Sequence, residues 1–251
     1  MIFYFSGTGN SKYVATRLSS ALELPLAEMT APIHVDSLTD ATTIGFVFPV
    51  YAWGIPFIVE EFIKNLPSSP SDCFIFAVMT CGDDLGYTDH ILAKVLQKRG
   101  WMLHAAFSVQ MRNTYVCLPG FDVDSAEVEE YKAIQAEKQI DIITEAIKQK
   151  REVGSKYLVR GAFPWIKSYI LRPLFNRFLI SDRQFCVNNA CIKCGLCIKQ
   201  CPLHNLSADN QGHPLWNGHC TLCLRCYHAC PKHAIEYGKF THNKGQVKIN
   251  F

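Results

Sequence analysis

The sequence lacks any long hydrophobic run, since no apolar stretch reaches the roughly 20 residues that a membrane-spanning helix needs. We therefore expect no transmembrane segment. Met1 leads straight into the apolar residues Ile2 to Phe5, without the basic region and cleavage site of a secretory leader. From this we expect a cytoplasmic protein whose twelve cysteines stay reduced.

Two common nucleotide-binding motifs are absent as well. The chain contains neither the G-x4-G-K-[ST] loop that holds nucleotide triphosphates nor the G-x-G-x-x-G turn of dinucleotide folds. Any phosphate site in this sequence must therefore be of another kind.

Cysteine, by contrast, recurs in one spacing twice. Each copy reads C-x2-C-x2-C-x3-C-P, and the two copies are offset by 29 residues. Structural zinc normally uses two separated pairs of ligands, so this spacing makes zinc the less favoured interpretation. Disulfides are also less favoured, because we expect the cysteines to stay reduced. The spacing is typical of bacterial proteins that hold two [4Fe-4S] clusters. The cysteines are Cys191, Cys194, Cys197, Cys201, Cys220, Cys223, Cys226 and Cys230.

This region resembles the two-cluster ferredoxins of anaerobic bacteria, in which the fourth cysteine of each run binds the other cluster. The resemblance implies two ligand sets: Cys191, Cys194, Cys197 and Cys230 for one cluster, and Cys220, Cys223, Cys226 and Cys201 for the other. Residues 183–251 carry eight Lys or Arg against two Asp or Glu. Because an oxidised cluster with its thiolates carries roughly −2, we read this charge as compensation and as a docking surface. We expect no nucleic-acid partner.

A second cofactor signature lies at the start of the chain. The apolar run Ile2 to Phe5 is typical of a buried strand, and the pattern Lys12 to Leu24 is typical of a helix. Backbone N–H groups between a strand and a helix N-terminus form an anion site. The sequence therefore predicts a phosphate-binding loop, made of Ser6, Gly7, Thr8, Gly9, Asn10 and Ser11.

Two later loops follow the strand-like runs Thr43 to Phe48 and Cys73 to Met79. In a doubly wound sheet, ligands bind beyond the carboxyl ends of the strands, where the strand order reverses. We therefore expect both loops beside the phosphate loop. Their candidate binding residues are Pro49, Val50, Tyr51, Ala52, Trp53, Gly54, Thr80, Cys81, Gly82, Asp83 and Tyr87.

The run S-G-T-G-N-S resembles the [ST]-x-T-G-[NT]-[ST] loop of flavodoxins, which bind FMN. The resemblance implies that Trp53 covers one face of the flavin ring and Tyr87 the other. It also implies that Gly54 adopts an unusual φ beside the flavin. Two alternatives stay open: Trp53 plugs the end of the sheet, and Tyr87 opens the helix Thr88 to Lys98.

The rest of the first 152 residues fits the same architecture. We predict the last strand over Leu103 to Met111 and a long helix over Asp124 to Lys150, which has an apolar stripe at helical spacing. In the loop between them, Asn113 and Tyr115 are expected to close over the flavin. No residue is predicted to donate a proton to a substrate.

Residues 153–183 carry large apolar side chains together with Lys and Arg, and belong to neither signature. We expect a helical connector that packs between the domains, broken into short helices by Pro164 and Pro173. A basic amphipathic stretch is also compatible with peripheral contact with a membrane surface.

The predicted fold class is thus α/β, a flavodoxin-like doubly wound five-stranded parallel sheet in residues 1–152, with a small α+β ferredoxin domain in residues 184–251. The whole chain resembles the flavodoxin–ferredoxin fusions of anaerobes. This implies an electron carrier that relays electrons between FMN, two [4Fe-4S] clusters and a redox protein partner.

A competing function is an FMN-dependent reductase of a small molecule, with residues 113–121 as its lid. A cluster-bearing regulatory module is less favoured, since it leaves the phosphate loop unexplained. The sequence leaves open whether a homodimer forms.

Overall fold

A five-stranded parallel sheet forms the first part of the computed structural model, which describes residues 1–32, 38, 41–68, 70 and 72–248. The strand order is β2-β1-β3-β4-β5, which is the flavodoxin-like doubly wound order. The predicted fold class is therefore confirmed. The strands are β1 (Ile2–Tyr4), β2 (Leu26–Glu28), β3 (Thr43–Pro49), β4 (Phe74–Cys81) and β5 (Ala105–Gln110).

Helices cover both faces of this sheet. They are α1 (Asn10–Leu22), α2 (Phe57–Lys64), α3 (Thr88–Gln97) and α4 (Ala126–Lys148). In β1, Phe3 packs into the core on one face, while Ile2 and Tyr4 pack into the core on the other. This explains the apolar run at the start of the sequence, because a strand that is covered on both faces has no polar side to present.

The helix boundaries differ slightly from the predicted ones, and caps explain two of the differences. Helix α1 begins at Asn10 rather than at Lys12, because Gly9 takes up the left-handed conformation with φ 103° and ends the loop there. Helix α4 begins at Ala126, because the hydroxyl of Ser125 accepts a hydrogen bond from the Val128 N–H at 3.4 Å.

The C-terminal region contains two short antiparallel pairs of strands and two short helices. Strand β6 (Phe185–Val187) pairs with β9 (Ile235–Tyr237), and β7 (Leu206–Ala208) pairs with β8 (Pro214–Trp216). The helices are α7 (Leu196–Gln200) and α8 (Arg225–Ala229). This is the small α+β domain that the cysteine pattern predicted.

The duplication of the cysteine pattern is also a duplication of structure. Helix α7 follows Gly195 and α8 follows Leu224, and both residues are left-handed, with φ of 70° and 59°. Each helix then ends at the last cysteine of its run, Cys201 or Cys230, in extended backbone. The two copies therefore share one backbone path over the 29-residue offset.

The two domains are joined by more than the connector. In the loop between β5 and α4, Val116 and Cys117 are fully buried in the core of the C-terminal region, next to Leu206 and Tyr227. A segment of the first domain thus completes the core of the second.

The connector contradicts one prediction. Helix α5 (Pro164–Ile166), a π-helical stretch (Lys167–Leu171) and α6 (Arg172–Phe178) follow one another without a break. Pro164 stands at the first helical position, where no N–H partner is needed, and Pro173 follows a turn that is widened to π. The prolines therefore do not divide the segment. No helix in the described part of the chain is long and apolar enough to cross a membrane.

Candidate cofactor sites

A cavity of about 450 Å³ lies at the carboxyl ends of β1, β3 and β4, within the size range of about 300–1,000 Å³ that is usual for cofactor sites. Most of the predicted flavin-binding residues line it, whereas Gly9, Gly54 and Tyr87 lie outside its lining. The predicted residues that line it are Ser6, Gly7, Thr8, Asn10, Ser11, Pro49, Val50, Tyr51, Ala52, Trp53, Thr80, Cys81, Gly82 and Asp83.

The phosphate loop has the geometry of an anion site. The hydroxyl of Ser6 accepts a hydrogen bond from the Gly9 N–H at 3.1 Å, which curls the loop over the start of α1. The hydroxyls of Ser11 and Thr80 are 2.7 Å apart and tie this loop to the end of β4. Since the first N–H groups of α1 have no partners within the helix, the loop suits the phosphate of FMN.

The second loop is a tight hairpin with strained backbone. Tyr51 and Gly54 exchange two backbone hydrogen bonds, of 3.0 and 3.1 Å. The two residues between them, Ala52 and Trp53, have φ of 45° and 57°. The unusual φ that we predicted at Gly54 therefore falls on its two predecessors. A Cβ on Gly54 would lie 1.9 Å from Nε of Arg172, so a larger residue there would force the Arg172 side chain to move.

The connector fixes this hairpin from outside. The Ser168 hydroxyl donates to the backbone oxygen of Trp53 at 2.8 Å and accepts from the N–H of Tyr87 at 2.7 Å. The ammonium of Lys167 lies 5.5 Å from the centre of the Trp53 ring and 2.6 Å from the carboxylate of Asp84. One helical turn thus holds two of the predicted flavin loops together.

Tyr87 itself lies on the connector side of these loops. It is the residue that precedes α3, and its ring packs 4.6 Å from that of His90. The guanidinium of Arg160 covers the ring at 4.7 Å while it binds Asp89. This arrangement favours the alternative in which Tyr87 opens the helix.

Aromatic side chains form another wall of the cavity. Tyr115 contacts Phe121 and Phe175, with ring centres 5.6 and 6.0 Å apart. Burial raises the pKa of Tyr115, so that its hydroxyl stays protonated. An apolar aromatic wall of this kind suits a flavin ring.

The loop that carries Tyr115 is bound to the C-terminal domain. Nε2 of His228 lies 2.8 Å from the backbone oxygen of Thr114, and Lys244 donates to the backbone oxygen of Phe121 at 2.5 Å. Since the Nδ1 atom of His228 accepts from the Val247 N–H, Nε2 carries the proton and donates. The position of this loop therefore depends on the C-terminal domain.

The fourth wall of the cavity is the second cysteine run itself. Residues 221–224 line the cavity together with the phosphate loop. A Cβ on Gly7 would lie 2.8 Å from the backbone oxygen of Cys223 and 2.8 Å from the hydroxyl oxygen of Tyr51. Only glycine allows the phosphate loop and the cysteine run to approach this closely.

Arg225 binds the two domains at the same point. Its Nε donates to the backbone oxygen of Gly7 at 2.7 Å, and one terminal nitrogen donates to that of Ser6. Its other terminal nitrogen donates to the backbone oxygen of Gln200 at 3.2 Å. A single guanidinium therefore joins the phosphate loop to both cysteine runs.

The structure brings the predicted cluster ligands together in two groups. Cys191, Cys194, Cys197 and Cys230 line one small cavity. In the other group, burial raises the pKa of Cys226, and the nearby charges of Cys223, Cys220 and Cys201 raise it further. The fourth cysteine of each run thus lies with the first three of the other run.

Each group brings together four thiols, the number of ligands that one [4Fe-4S] cluster takes. Among the residues that the structure describes, no three or more His, Cys, Asp or Glu side chains are arranged to hold a single metal ion.

Backbone N–H groups point at the sulfurs. Asn205 donates to Sγ of Cys201 and Ala234 donates to Sγ of Cys230, both at 3.3 Å and at equivalent places in the two copies. Such bonds stabilise electron-rich sulfur and tune the potential of a cluster. Burial raises the pKa of Cys220 to about 12 and that of Cys223 to about 11, so iron must displace protons when it binds.

Sequence reasoning missed part of the cavity wall, and one signal could have revealed it. At equivalent places in the two cysteine runs, Lys193 and Gly195 of the first correspond to Leu222 and Leu224 of the second. These leucines are buried. A comparison of the two runs would have marked the second as the covered one. The further lining residues are Asp84, Arg112, Thr114, Leu118, Phe121, Lys167, Phe175, Ile180, Thr221, Leu222, Cys223 and Leu224.

Comparisons with protein families agree with this division. Residues 1–110 match the family model of a flavodoxin domain, and residues 190–235 match that of a 4Fe-4S dicluster domain. The chain thus contains a flavodoxin domain and a 4Fe-4S dicluster domain, which support a redox role and imply FMN and iron–sulfur clusters. More particularly, the chain joins a flavodoxin domain to a ferredoxin-type domain, as do the fusions that its sequence resembles.

Similar solved structures have low identity to this chain. Trp repressor binding protein from Bacillus subtilis is 9% identical over 59% of this chain and 97% of its own, with a TM-score of 0.40. A flavodoxin from the domain Archaea is 14% identical over 59% and 96%, with a TM-score of 0.35. Rubredoxin oxygen:oxidoreductase from Desulfovibrio gigas is 22% identical over 59% and 36%, with a TM-score of 0.37. No curated protein matches the chain.

Proposed function

We propose that this protein relays electrons between FMN and a redox protein partner through two [4Fe-4S] clusters. One observation carries the proposal: the flavodoxin loops and residues 221–224 line the same cavity. Electron transfer slows steeply with distance, and a shared wall leaves no intervening layer of protein. Bound FMN supplies the exchange between two-electron and one-electron steps.

The residues of the chain have distinct parts in this relay. The N–H groups and hydroxyls of residues 6–11 would hold the phosphate, and Trp53 and Tyr115 would exclude water from the ring. Arg225 and Gly7 keep the second cysteine run against the phosphate loop. The distances between centres are thus set by contacts within the chain.

The relay has a direction in space. The cluster bound by Cys220, Cys223, Cys226 and Cys201 would lie next to the flavin, since Cys223 lines the flavin cavity. The other cluster would lie close to solvent, because Cys194 is exposed and so are Lys193 and Lys232 beside it. We place the docking site of the partner there, and the lysines favour a partner with an acidic surface.

One experiment tests the relay and its order together. Anaerobically purified protein should contain FMN and about eight irons, and both kinds of centre should be reducible. Cys223→Ser and Cys194→Ser should each lower the iron content and retain FMN. In stopped-flow experiments, Cys223→Ser should abolish rapid electron exchange between flavin and iron, whereas Cys194→Ser should retain it and lose exchange with a protein acceptor.

Identical kinetics in the two variants would contradict the order, and full iron content in both would contradict the ligand sets. The reductase of small molecules is less well supported by the site. It requires residues 113–121 to open as a lid, yet His228 and Lys244 bond this loop to the C-terminal domain. Flavin oxidation that saturates with a small molecule, without any protein acceptor, would favour the reductase.

A further inference from the structure

The helical part of the connector, residues 164–178, exposes most of its large hydrophobic side chains and buries several polar ones. Its buried side presents Ser168, Lys167 and Arg172, which bond to the backbone of Trp53, to Asp84 and to the backbone of Ile55. A helix on the surface of a soluble domain normally buries its apolar side and exposes its polar one. Phe175 and Tyr169 of this helix do pack inward, against Tyr115 and Tyr87, but its other large hydrophobic side chains are exposed.

The outward side is a contiguous set of large hydrophobic residues, here called the connector face. Phe163 is 74% exposed, Phe178 67% and Trp165 55%. Exposed apolar residues that are scattered singly need no explanation, but a concentrated group marks an interaction surface. The members of the connector face are Phe163, Trp165, Ile166, Ile170, Leu171, Leu174, Phe178 and Leu179.

The charges of the connector itself have one sign. Residues 153–181 contain five Lys or Arg and no Asp or Glu. Three carboxylates of the first domain lie close to connector cations: Asp84 pairs with Lys167, Asp89 pairs with Arg160, and Glu60 acts on Arg172 while it pairs with Lys64. Lys156 and Arg177 are exposed. Hydrophobic and aromatic side chains flanked by exposed cations suit the interfacial region of an anionic lipid membrane.

We propose that the connector face docks on the surface of an anionic lipid bilayer, with the helix lying in the plane of the headgroups. A second copy of this chain suits the face less well. A symmetric dimer would join two copies of this face, and residues 153–181 hold no carboxylate that could pair with Lys156 or Arg177 of the other copy. Lipid phosphates supply that negative charge and acyl chains cover the rings.

Docking would place the flavin end of the relay beside the bilayer. The buried side of the same helix is bonded to Trp53 and Ile55, which belong to the hairpin between β3 and α2. The flavin cavity therefore lies directly under the helix that the lipid would cover. The proposal does not depend on the order of the clusters.

The test is flotation of the anaerobically prepared full-length protein with vesicles. Most of the protein should float with vesicles of phosphatidylcholine and phosphatidylglycerol. A much smaller fraction should float with vesicles of phosphatidylcholine alone. The triple variant Phe163→Ser, Trp165→Ser, Phe178→Ser should bind at least tenfold more weakly, because it removes three rings from the interface. Arg177→Glu should weaken binding to the anionic vesicles alone, by about 25-fold, because it changes the charge by two units and each unit contributes about fivefold.

A matched control uses side chains that are as exposed but lie elsewhere. Met102 and Tyr131 are each 64% exposed and Ile134 is 51% exposed, so the triple variant Met102→Ser, Tyr131→Ser, Ile134→Ser should float like the original protein. Failure of the original protein to float, or equal losses in the two triple variants, would overturn the proposal. It is also overturned if ultracentrifugation shows a dimer that only the first triple variant dissociates, without vesicle binding.

Discussion

At the scale of single residues, the interface between the domains depends on side chains that no motif marks. Arg225 is one of the many cations of the C-terminal region, and the sequence indicated for them charge compensation and a docking surface. In the structure it donates to the backbone oxygens of Gly7, Ser6 and Gln200. Its planar fork of donors is what allows one side chain to bind three carbonyl groups.

Arg225→Ala should therefore loosen the junction, and with it the wall that residues 221–224 give to the flavin cavity. Bonds from a charged donor contribute about 1.5–3 kcal/mol each, so the loss of three should lower the free energy of unfolding by roughly 4–5 kcal/mol even at the lower value. Electron exchange between flavin and iron should slow as the second cysteine run separates from the phosphate loop. Chemical unfolding and stopped-flow absorption measure the two effects.

Arg225→Lys is the matched control, because it keeps the charge and loses the fork. A lysine can satisfy only part of the three carbonyl groups, so its effects should lie between those of arginine and alanine. If lysine behaved like arginine, the charge alone would hold the junction and the geometric account would be wrong.

At the scale of elements, the sequence predicted what local patterns determine. The buried strand Ile2–Tyr4 and the long helix Ala126–Lys148 follow from apolar periodicity, and their ends shift by only a few residues through local caps. The connector was predicted wrongly in one respect, because the two prolines suggested breaks. Whether a proline ends a helix depends on the turn before it, and no local rule specified the π turn at Lys167–Leu171.

The connector also predicts a specific dependence of the flavin site on one hydroxyl. Ser168→Ala would leave the Trp53 oxygen and the Tyr87 N–H without their partner, at a cost of about 1–3 kcal/mol. Part of that cost should appear as weaker FMN binding, since Trp53 lines the cavity. FMN fluorescence during titration of the flavin-free protein measures the dissociation constant.

Ser155→Ala serves as the control for this variant. Ser155 lies exposed in the short 3-10 helix of the same connector, away from the hairpin, so its removal should leave FMN affinity unchanged. Equal losses in both variants would indicate that the connector as a whole, rather than this hydroxyl, supports the flavin site.

At the scale of the whole molecule, the flavin cavity forms only where the two domains pack against each other. The sequence predicted the phosphate loop, the two later loops and the two groups of cysteines, because each has a local motif. It did not predict that residues 221–224 close the cavity or that Cys117 completes the second core. Such contacts join residues that are far apart in the sequence, and no periodicity or spacing encodes them.

The proposed docking site for a redox partner predicts an effect of charge. Lys193→Glu with Lys232→Glu reverses two exposed charges beside the cysteine group that contains the exposed Cys194. Electron exchange with an acidic redox protein should slow by roughly tenfold at low salt, because steering by charge raises association rates by about 10–1,000-fold. Above about 0.5 M salt the difference should largely vanish, since screening shortens the reach of these charges.

The control is Lys98→Glu with Lys138→Glu. Both lysines are exposed, and the double variant changes the net charge by the same amount at other places on the surface. If this control slowed exchange as much, net charge rather than a docking site at the outer cluster would govern the encounter.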